Sequence, residues 1–385
     1  MRCRSYYLCE KTDGIRCLLY CTRGDDNEEI HYLIDRKNDY YYITSPDLSE
    51  DRRSRTHPWP IGSSGLHLPH HEDKSLRSSH FSTILDGELV LDHEKDGRVV
   101  LRYLVFDCLL LDGENLTQKS FDKRIGRYQM WIDVPFKEAY KRFPEERRHL
   151  PFEMAFKMMD KPYGLQDMFY EKLPNLPHGN DGLIFTCKDT PYVMGTDEHI
   201  LKWKPEHENS IDFRLKIGRF PTIVEDGEEF EEYDSKPELI LEVFYGSNMY
   251  GDVATLYVDD ADWEAMKHSA SRDHKQLDGR IIECWLEHPA SGEPRWRFKH
   301  ESDGTPRFRD DKYEANHIST VEKVIQSIQD AVSQGELIAH AADIKESWKR
   351  RHPEEDKRKA EAHAAHVAQA RGSQSRAPAP QNGHI

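Results

Sequence analysis

The sequence lacks several features that mark large classes of protein. No apolar run approaches the roughly 18 residues of a membrane helix, and the N-terminal stretch has no apolar segment typical of a signal peptide. The seven cysteines include no CxxC pair and are odd in number, which argues against a thiolate zinc site and a disulfide framework. Basic residues are fewer than acidic ones: the sequence has 54 Lys and Arg and 70 Asp and Glu, which gives a net charge of −16. This excludes a general nucleic-acid coat but not a local basic cleft.

The patterns that are present predict a mixed α and β protein. Strand-type runs, broken by Asp-Gly pairs such as Asp86-Gly87, dominate the region before residue 112, and a helical pattern covers residues 121–172. Five short strand patterns between residues 211 and 300 are typical of a small barrel. The 21 histidines follow no HExxH or other metal pattern, so we interpret them as surface or structural residues.

Five short motifs, each weak alone, follow one another along the chain. They are KTDG at 11–14, ILDGEL at 84–89, YLVFD at 103–107, DGLIF at 181–185 and LKWKP at 201–205. Lys11 lies between two strand patterns, next to a predicted Asp-Gly turn, and Lys202 and Lys204 share one face of a strand. For KTDG alone, a surface hairpin is the simpler interpretation.

The ordered series resembles the covalent nucleotidyltransferases, which include ATP- and NAD-dependent ligases and mRNA capping guanylyltransferases. Near the C-terminus, RFRDDK at 307–312 and NHISTV at 316–321 resemble a motif of capping enzymes, and EKTDGIRCLLY at 10–20 resembles the fungal form. The resemblance implies an α+β nucleotidyltransferase domain with antiparallel sheets and a C-terminal OB-fold lid. We therefore expect domains at 1–212 and 213–316, a C-terminal helix at 317–352 and a disordered tail at 353–385. Family members carry further residues before the lysine motif, so a missing N-terminal segment is expected.

The resemblance assigns the chemistry to Lys11, which would hold a nucleoside monophosphate as a phosphoramidate. Only the neutral amine can react, and nearby cations favour that form. Lys202 and Lys204 are the expected cations and α-phosphate ligands. Asp13 would orient the lysine and its turn, and Arg16 would bind ribose or phosphate.

The remaining nucleotide contacts follow from the same resemblance. Glu88 and Asp181 would supply ribose and metal contacts, with Mg²⁺ or Mn²⁺ as the cofactor; solvated hairpin acids are the alternative. Phe106 and Ile184 would enclose the purine, although aromatic strand residues are often core. Lys188 or Thr186 would reach the guanine O6.

Arg309, Asp311 and Lys312 complete the predicted site from the second domain. They would act on the β- and γ-phosphates of GTP when the lid closes, since Arg suits bidentate phosphate contact. Taken alone, the RFRDDK stretch at 307–312 is typical of a solvated charged loop.

The implied reaction is mRNA capping: GTP forms enzyme–GMP, and GMP passes to a 5′-diphosphate RNA end. Family membership further implies a nuclear location, an RNA triphosphatase subunit and the phosphorylated RNA polymerase II C-terminal tail as partners, and no membrane. Two alternatives remain open at this point. One is an ATP-dependent polynucleotide ligase, and the other is a non-catalytic relative that binds single-stranded RNA through the OB-fold.

Overall fold

The chain divides into two compact units, each described by itself. A computed structural model describes residues 4–25, 27–45, 64–225, 228–232, 235–273, 276–301, 303–353 and 357. The first unit comprises Met1–Lys202 and Gly335–Ile385, and the second comprises Trp203–Gln334. None of the helices in these ranges combines the length and apolar character required to cross a membrane.

The strands of the first unit form two sheets. They are β1 (Tyr6–Thr12), β2 (Ile15–Arg23), β3 (Glu29–Ile34), β4 (Tyr40–Tyr42), β5 (Thr83–His93), β6 (Val99–Leu111), β7 (Glu114–Asn115), β8 (Glu153–Phe156), β9 (Asn180–Cys187) and β10 (Leu201–Trp203). The large sheet has the order β4-β3-β2-β5-β6-β7, with β8 parallel to β6, and the small one has the order β1-β9-β10. The predicted antiparallel sheets are confirmed.

Two glycines near the site are required by close packing. A side chain on Gly14 would lie 2.6 Å from the Leu89 carbonyl oxygen, so only glycine fits between β1 and β2. The predicted Asp-Gly break at Gly87 is wrong, because β5 runs through it with a shift in register. A side chain on Gly87 would lie 2.4 Å from the Tyr103 ring, so this glycine serves packing rather than a turn.

Helices cover the large sheet and complete its core. In the Met1–Lys202 part of the first unit, the helices of the described residues are α1 (Phe121–Arg127), α2 (Val134–Arg142) and α3 (Leu165–Asp167). Two π-helical turns lie at Tyr128–Asp133 and Met168–Lys172, and two 3₁₀ turns lie at Pro144–His149 and Leu173–Asn175. Buried Tyr103, Tyr128 and Phe136 join one hydrophobic cluster with the sheet. The helical prediction for 121–172 missed β8, a four-residue strand too short to show periodicity.

The second unit is the predicted OB-type barrel. Its strands are β11 (Ser210–Ile217), β12 (Thr222–Glu225), β13 (Glu228–Glu231), β14 (Leu239–Gly246), β15 (Met249–Thr255), β16 (Ile281–Glu287) and β17 (Arg295–Phe298). The sheet order is β15-β14-β11-β16-β17, and a bridge between Leu256 and Trp296 joins the two edges. The hairpin β12–β13 pairs separately, a 3₁₀ turn spans Glu206–Glu208, and α4 (Asp260–Asp273) lies between β15 and β16.

The region expected to be one helix at 317–352 is divided into three. They are α5 (Ile318–Gln329), α6 (Gln334–Ala339) and α7 (Ala341–Arg351). Val321 of α5 packs into the barrel core, whereas Trp348 of α7 is buried in the first unit beside Tyr7. The segment breaks because its ends pack on different units. Apart from residues 353 and 357, the predicted disordered tail lies outside the described residues.

Candidate active site

Lys11, the candidate nucleophile, lies at the end of β1 against Asp181 of β9. Antiparallel pairing places Thr12 opposite Asn180, which brings the lysine and the aspartate side by side. Lys11 Nζ donates hydrogen bonds to Asp181 Oδ1 at 2.6 Å and Oδ2 at 2.8 Å. Their side chains remain 23% and 19% exposed, so a ligand can reach the amine. The structure therefore brings together two of the predicted site residues.

Asp13 does not make the contact expected of it. Its side chain is exposed, and its backbone N–H donates to the Gly179 carbonyl at 3.0 Å. Asp181 orients the Lys11 amine instead. The distant aspartate takes this role because strand pairing places it beside the lysine.

Arg16, at the start of β2, is held by a buried carboxylate. Its Nε donates to Asp86 Oδ1 at 3.0 Å and its Nη2 to Asp86 Oδ2 at 2.7 Å. The Tyr192 hydroxyl accepts from Arg16 at 3.2 Å and donates to Asp86 at 2.9 Å. The hydrogen bonds that Arg16 donates to Asp86 raise the pKa of Arg16, which keeps the guanidinium charged. The half-exposed arginine is thus preorganised for an anionic or hydroxylated ligand.

A buried lysine that sequence analysis did not identify lies behind this site. Lys157, directly after β8, donates to the Thr12 hydroxyl, and its Nζ lies 3.6 Å from Glu88 Oε2 and 3.8 Å from Glu10 Oε1. Burial raises the pKa of Glu10, while the Lys157 charge opposes that shift. The predicted ligand Glu88 therefore has a cationic partner in the protein. Nothing in the local sequence of Lys157 distinguishes it from a surface lysine.

Phe106 and Ile184, the predicted purine neighbours, are half-buried and stand outside both core clusters. The Arg16 guanidinium carbon lies 5.5 Å from the Phe106 ring centroid. Next to Phe106, the Asp107 carboxylate is buried and bound bidentately by Arg124 at 2.8 and 2.7 Å. The pair fixes the middle of β6 next to Phe106, so the predicted strand end at Asp107 is wrong: β6 continues to Leu111.

The other predicted lysines lie on or after strands of the small sheet. Lys188 follows β9 at the end where Cys187 pairs with Tyr6, and its Nζ lies 5.8 Å from the Trp348 ring. Lys202 is an exposed residue of β10, and Lys204 follows that strand. The two-lysine strand therefore spans the division between the units, which falls after Lys202.

The predicted lid residues contact carboxylates of their own unit. Arg309 binds both Asp311 oxygens at 3.0 Å, and its Nη1 lies 3.5 Å from Asp212. Lys312 donates to Asp212 as well. Hydrogen bonding to Asp311 raises the pKa of Arg309. Both cations are partly exposed and face acids that a phosphate would have to replace.

A partly exposed lysine beside a carboxylate, a preorganised arginine and a half-buried aromatic ring are the parts required for covalent nucleotidyl transfer. Together with the barrel unit, they define the class of covalent nucleotidyltransferases. Family models describe the two parts of the chain: "mRNA capping enzyme, catalytic domain" matches residues 1–206 and "mRNA capping enzyme, C-terminal domain" matches residues 208–338. The chain belongs to the mRNA capping enzyme family.

Two similar proteins described as mRNA-capping enzyme subunit alpha agree with this membership. The mRNA-capping enzyme subunit alpha of Neurospora crassa is 41% identical over 366 residues, which cover 91% of this chain and 82% of that protein. The protein of the same description from Saccharomyces cerevisiae is 32% identical, with 90% and 76% covered. Among solved structures, a mycobacterial DNA ligase D complexed with ATP and MES aligns at 16% identity and a TM-score of 0.37, covering 80% of this chain and 90% of that one.

Proposed function

We propose that this chain is an mRNA guanylyltransferase with Lys11 as its nucleophile. The observation that carries the proposal is the Lys11 amine, held 2.6 Å from Asp181 and partly exposed, in a capping-enzyme chain. Lys11 Nζ attacks the α-phosphorus of GTP. A P–N bond forms, the bond to the β-phosphate oxygen breaks, and pyrophosphate leaves.

Asp181 accepts a proton from Lys11 in the first step of this reaction and returns it in the second. Its carboxylate takes the proton that Nζ must lose before attack, because it is the acceptor in contact with that atom. The second proton, released from nitrogen as the P–N bond forms, leaves with pyrophosphate. In the second step a β-phosphate oxygen of 5′-diphosphate RNA attacks the same phosphorus. The P–N bond then breaks, and Asp181 returns the proton to Lys11.

The predicted divalent ion fits the donor set. Asp181 and Glu88 offer the hard carboxylate oxygens that Mg²⁺ and Mn²⁺ prefer. When bound, the ion would supply positive charge to the phosphate oxygens. In the protein each carboxylate faces a lysine, Lys11 and Lys157 respectively. Glu88 would have to exchange an ammonium for the ion, whereas Asp181 would hold the ion on one oxygen and keep the Lys11 amine on the other.

The nucleotide would lie between the predicted contacts. Phe106 and Ile184 enclose the base, and their half-buried state supports a ligand role. Arg16 binds ribose or phosphate. Lys188 or Thr186 selects guanine, from the end of β9 away from Lys11.

Cationic residues on both sides of the unit division complete the phosphate contacts. Lys202 and Lys204 bind the α-phosphate, and Arg309, Asp311 and Lys312 act on the β- and γ-phosphates as a mobile lid. The partial exposure of Arg309 and Lys312 supports this role, and phosphate oxygens would replace the carboxylates that now contact both cations.

The relatives suggest partners beyond GTP and RNA. They are described as subunit alpha, which supports a second subunit. We assign an RNA triphosphatase as that second subunit. We further assign the phosphorylated RNA polymerase II C-terminal tail as a docking partner and the nucleus as the location.

Labelled GTP and ATP offered to the protein with Mg²⁺ or Mn²⁺ test the proposal against its alternatives. A guanylyltransferase forms a covalent adduct from GTP and little from ATP. Preference for ATP would support the polynucleotide ligase instead. If neither nucleotide labels the protein, the non-catalytic RNA-binding alternative would be favoured.

A further inference from the structure

Three histidines and one aspartate converge at one end of the β5–β6 strand pair, outside the motifs of the proposed reaction. His80 lies three residues before the start of β5, and Asp112 immediately follows β6. Since Ile84 pairs with Leu110, these two positions meet at the same end of the strand pair. His70 and His71 reach them from the loop before β5. One ligand atom of each side chain lies within 4.8 Å of those of the other three.

The hydrogen bonds of His80 fix where its proton resides. Its Nε2 lies 2.8 Å from the Trp131 carbonyl oxygen, which can only accept, so Nε2 carries the hydrogen. Its Nδ1 lies 2.9 and 3.0 Å from the two Asp112 oxygens. In the neutral ring, the lone pair of His80 Nδ1 therefore points at the Asp112 carboxylate. Because the two repel each other, a proton or a metal ion must lie between them. A ligating histidine whose other nitrogen donates to a backbone carbonyl is the usual arrangement at metal centres.

His71 provides a second, independent observation. Its Nδ1 is buried and has no hydrogen-bond partner among the described residues. Its ring stacks on Trp131 with centroids 4.6 Å apart and planes 3° from parallel, which fixes its orientation. An unpaired buried nitrogen costs free energy that coordination would recover.

We infer that His70, His71, His80 and Asp112 form a site for a transition-metal ion, with Zn²⁺ as the expected occupant. Three imidazoles and one carboxylate make a four-ligand set of the tetrahedral type that zinc accepts. Zinc–ligand bonds of 2.0–2.2 Å would place the ligand atoms about 3.3 Å apart, so binding draws the four side chains inward. With four protein ligands the ion is structural: it ties the loop that carries His70 and His71 to β5 and β6.

The loop already has the shape that this role requires. The His80 N–H donates to the Leu68 carbonyl at 2.9 Å, and the His70 N–H donates to that of Ser78 at 2.8 Å. These bonds close residues 68–80 into a compact segment. An ion would therefore join two preformed parts instead of ordering an extended chain.

The test uses the full chain, freed of metal with a chelator and titrated with Zn²⁺ by calorimetry. Co²⁺ serves as a spectroscopic probe, since tetrahedral nitrogen and oxygen ligation gives visible bands without thiolate charge transfer. The variants are His71→Gln, which removes no hydrogen bond seen at Nδ1, and Asp112→Asn. His199→Gln is the matched control, because His199 Nδ1 also lies beside one aspartate, Asp197, at 3.1 Å.

We expect one Zn²⁺ per chain, affinity reduced at least about tenfold in both test variants, and no change in the control. Zinc should also raise the melting temperature of the wild type more than that of His71→Gln. The inference is overturned if the wild type binds no zinc, if the control loses affinity equally, or if cobalt shows thiolate bands. It is also overturned if nuclear magnetic resonance finds a proton on His80 Nδ1 with zinc in excess. These readouts do not depend on guanylyltransferase activity.

Discussion

The Arg16 guanidinium and the Asp86 carboxylate form two parallel hydrogen bonds at 3.0 and 2.7 Å, and Asp86 is completely buried. Arg16 is thereby fixed while part of its surface stays open. A ligand then meets an arginine that has already lost its conformational freedom. Arg16 lies on β2 and Asp86 lies on β5, so the pairing of these two neighbouring strands brings the two side chains together.

Asp86→Asn should weaken GTP binding by about 1.5–3 kcal/mol, the range for hydrogen bonds to charged groups. The amide cannot hold the guanidinium through two charged oxygens, so Arg16 loses its orientation. Equilibrium binding of GTP measures the effect. Asp96→Asn is the control, because Asp96 pairs with Arg98 at 2.7 Å on an exposed turn. Equal losses in both variants would remove the role assigned to Asp86.

Phe106→Ala should weaken GTP binding by about 1–3 kcal/mol, the range for a base stacked on an aromatic side chain. Phe106→Tyr should lose little, because it keeps the ring. Binding and thermal unfolding are measured together. Normal GTP affinity with a lowered melting temperature in the alanine variant would identify Phe106 as a packing residue.

Arg309→Ala and Lys312→Ala should slow formation of enzyme–GMP by roughly 10²-fold or more, as expected for charges lost from a developing phosphate charge. Transfer from preformed enzyme–GMP to RNA should change far less, because no pyrophosphate leaves in that step. Single-turnover measurements compare the two steps. An equal loss in both would assign these residues to barrel structure or RNA binding.

Acid should destabilise the first unit through His31. Burial lowers the pKa of His31 to about 4, with Glu29 opposing and His67 adding to the shift. Unfolded histidine titrates near 6.5, so the unfolded state takes up the proton first as pH falls. The contribution of His31 to the free energy of unfolding is therefore at its maximum above about pH 6.5. It falls by up to about 3 kcal/mol as the pH approaches 4.

Denaturant unfolding at pH 7 and pH 5 measures that loss. His31→Gln, which can still hydrogen-bond to the Ser64 hydroxyl 2.7 Å from His31 Nδ1, should show a smaller decrease. The same decrease in wild type and variant would assign the pH dependence to other groups.

Local sequence predicted the site residues that share a motif and missed those that folding brings from elsewhere. The turn after Lys11, the lysines on and directly after β10, and the barrel strands all have short-range patterns. Asp86 stood in the same motif as Glu88, two residues away on the same strand face, and could have been chosen with it. Tyr192 and Lys157 come from distant segments and ordinary surroundings, so only the register of the sheets reveals them.

The histidine cluster illustrates the same limit. His70, His71, His80 and Asp112 span more than forty residues with no spacing typical of a metal motif. Pairing of β5 with β6 brings the ends of that span together. Local patterns therefore favoured a surface or structural role for these histidines. Their convergence depends on strand pairing, which local patterns do not show.

Covalent labelling by GTP in the Lys11→Arg variant tests the proposed reaction most directly. Lys137→Arg is the matched control, because Lys137 also pairs with an aspartate at 2.6 Å, on α2. The guanidinium stays protonated and cannot attack phosphorus. We predict an acid-labile, base-stable GMP adduct in the wild type and in Lys137→Arg, and none in Lys11→Arg. An adduct of equal yield in Lys11→Arg would show that another residue is the nucleophile.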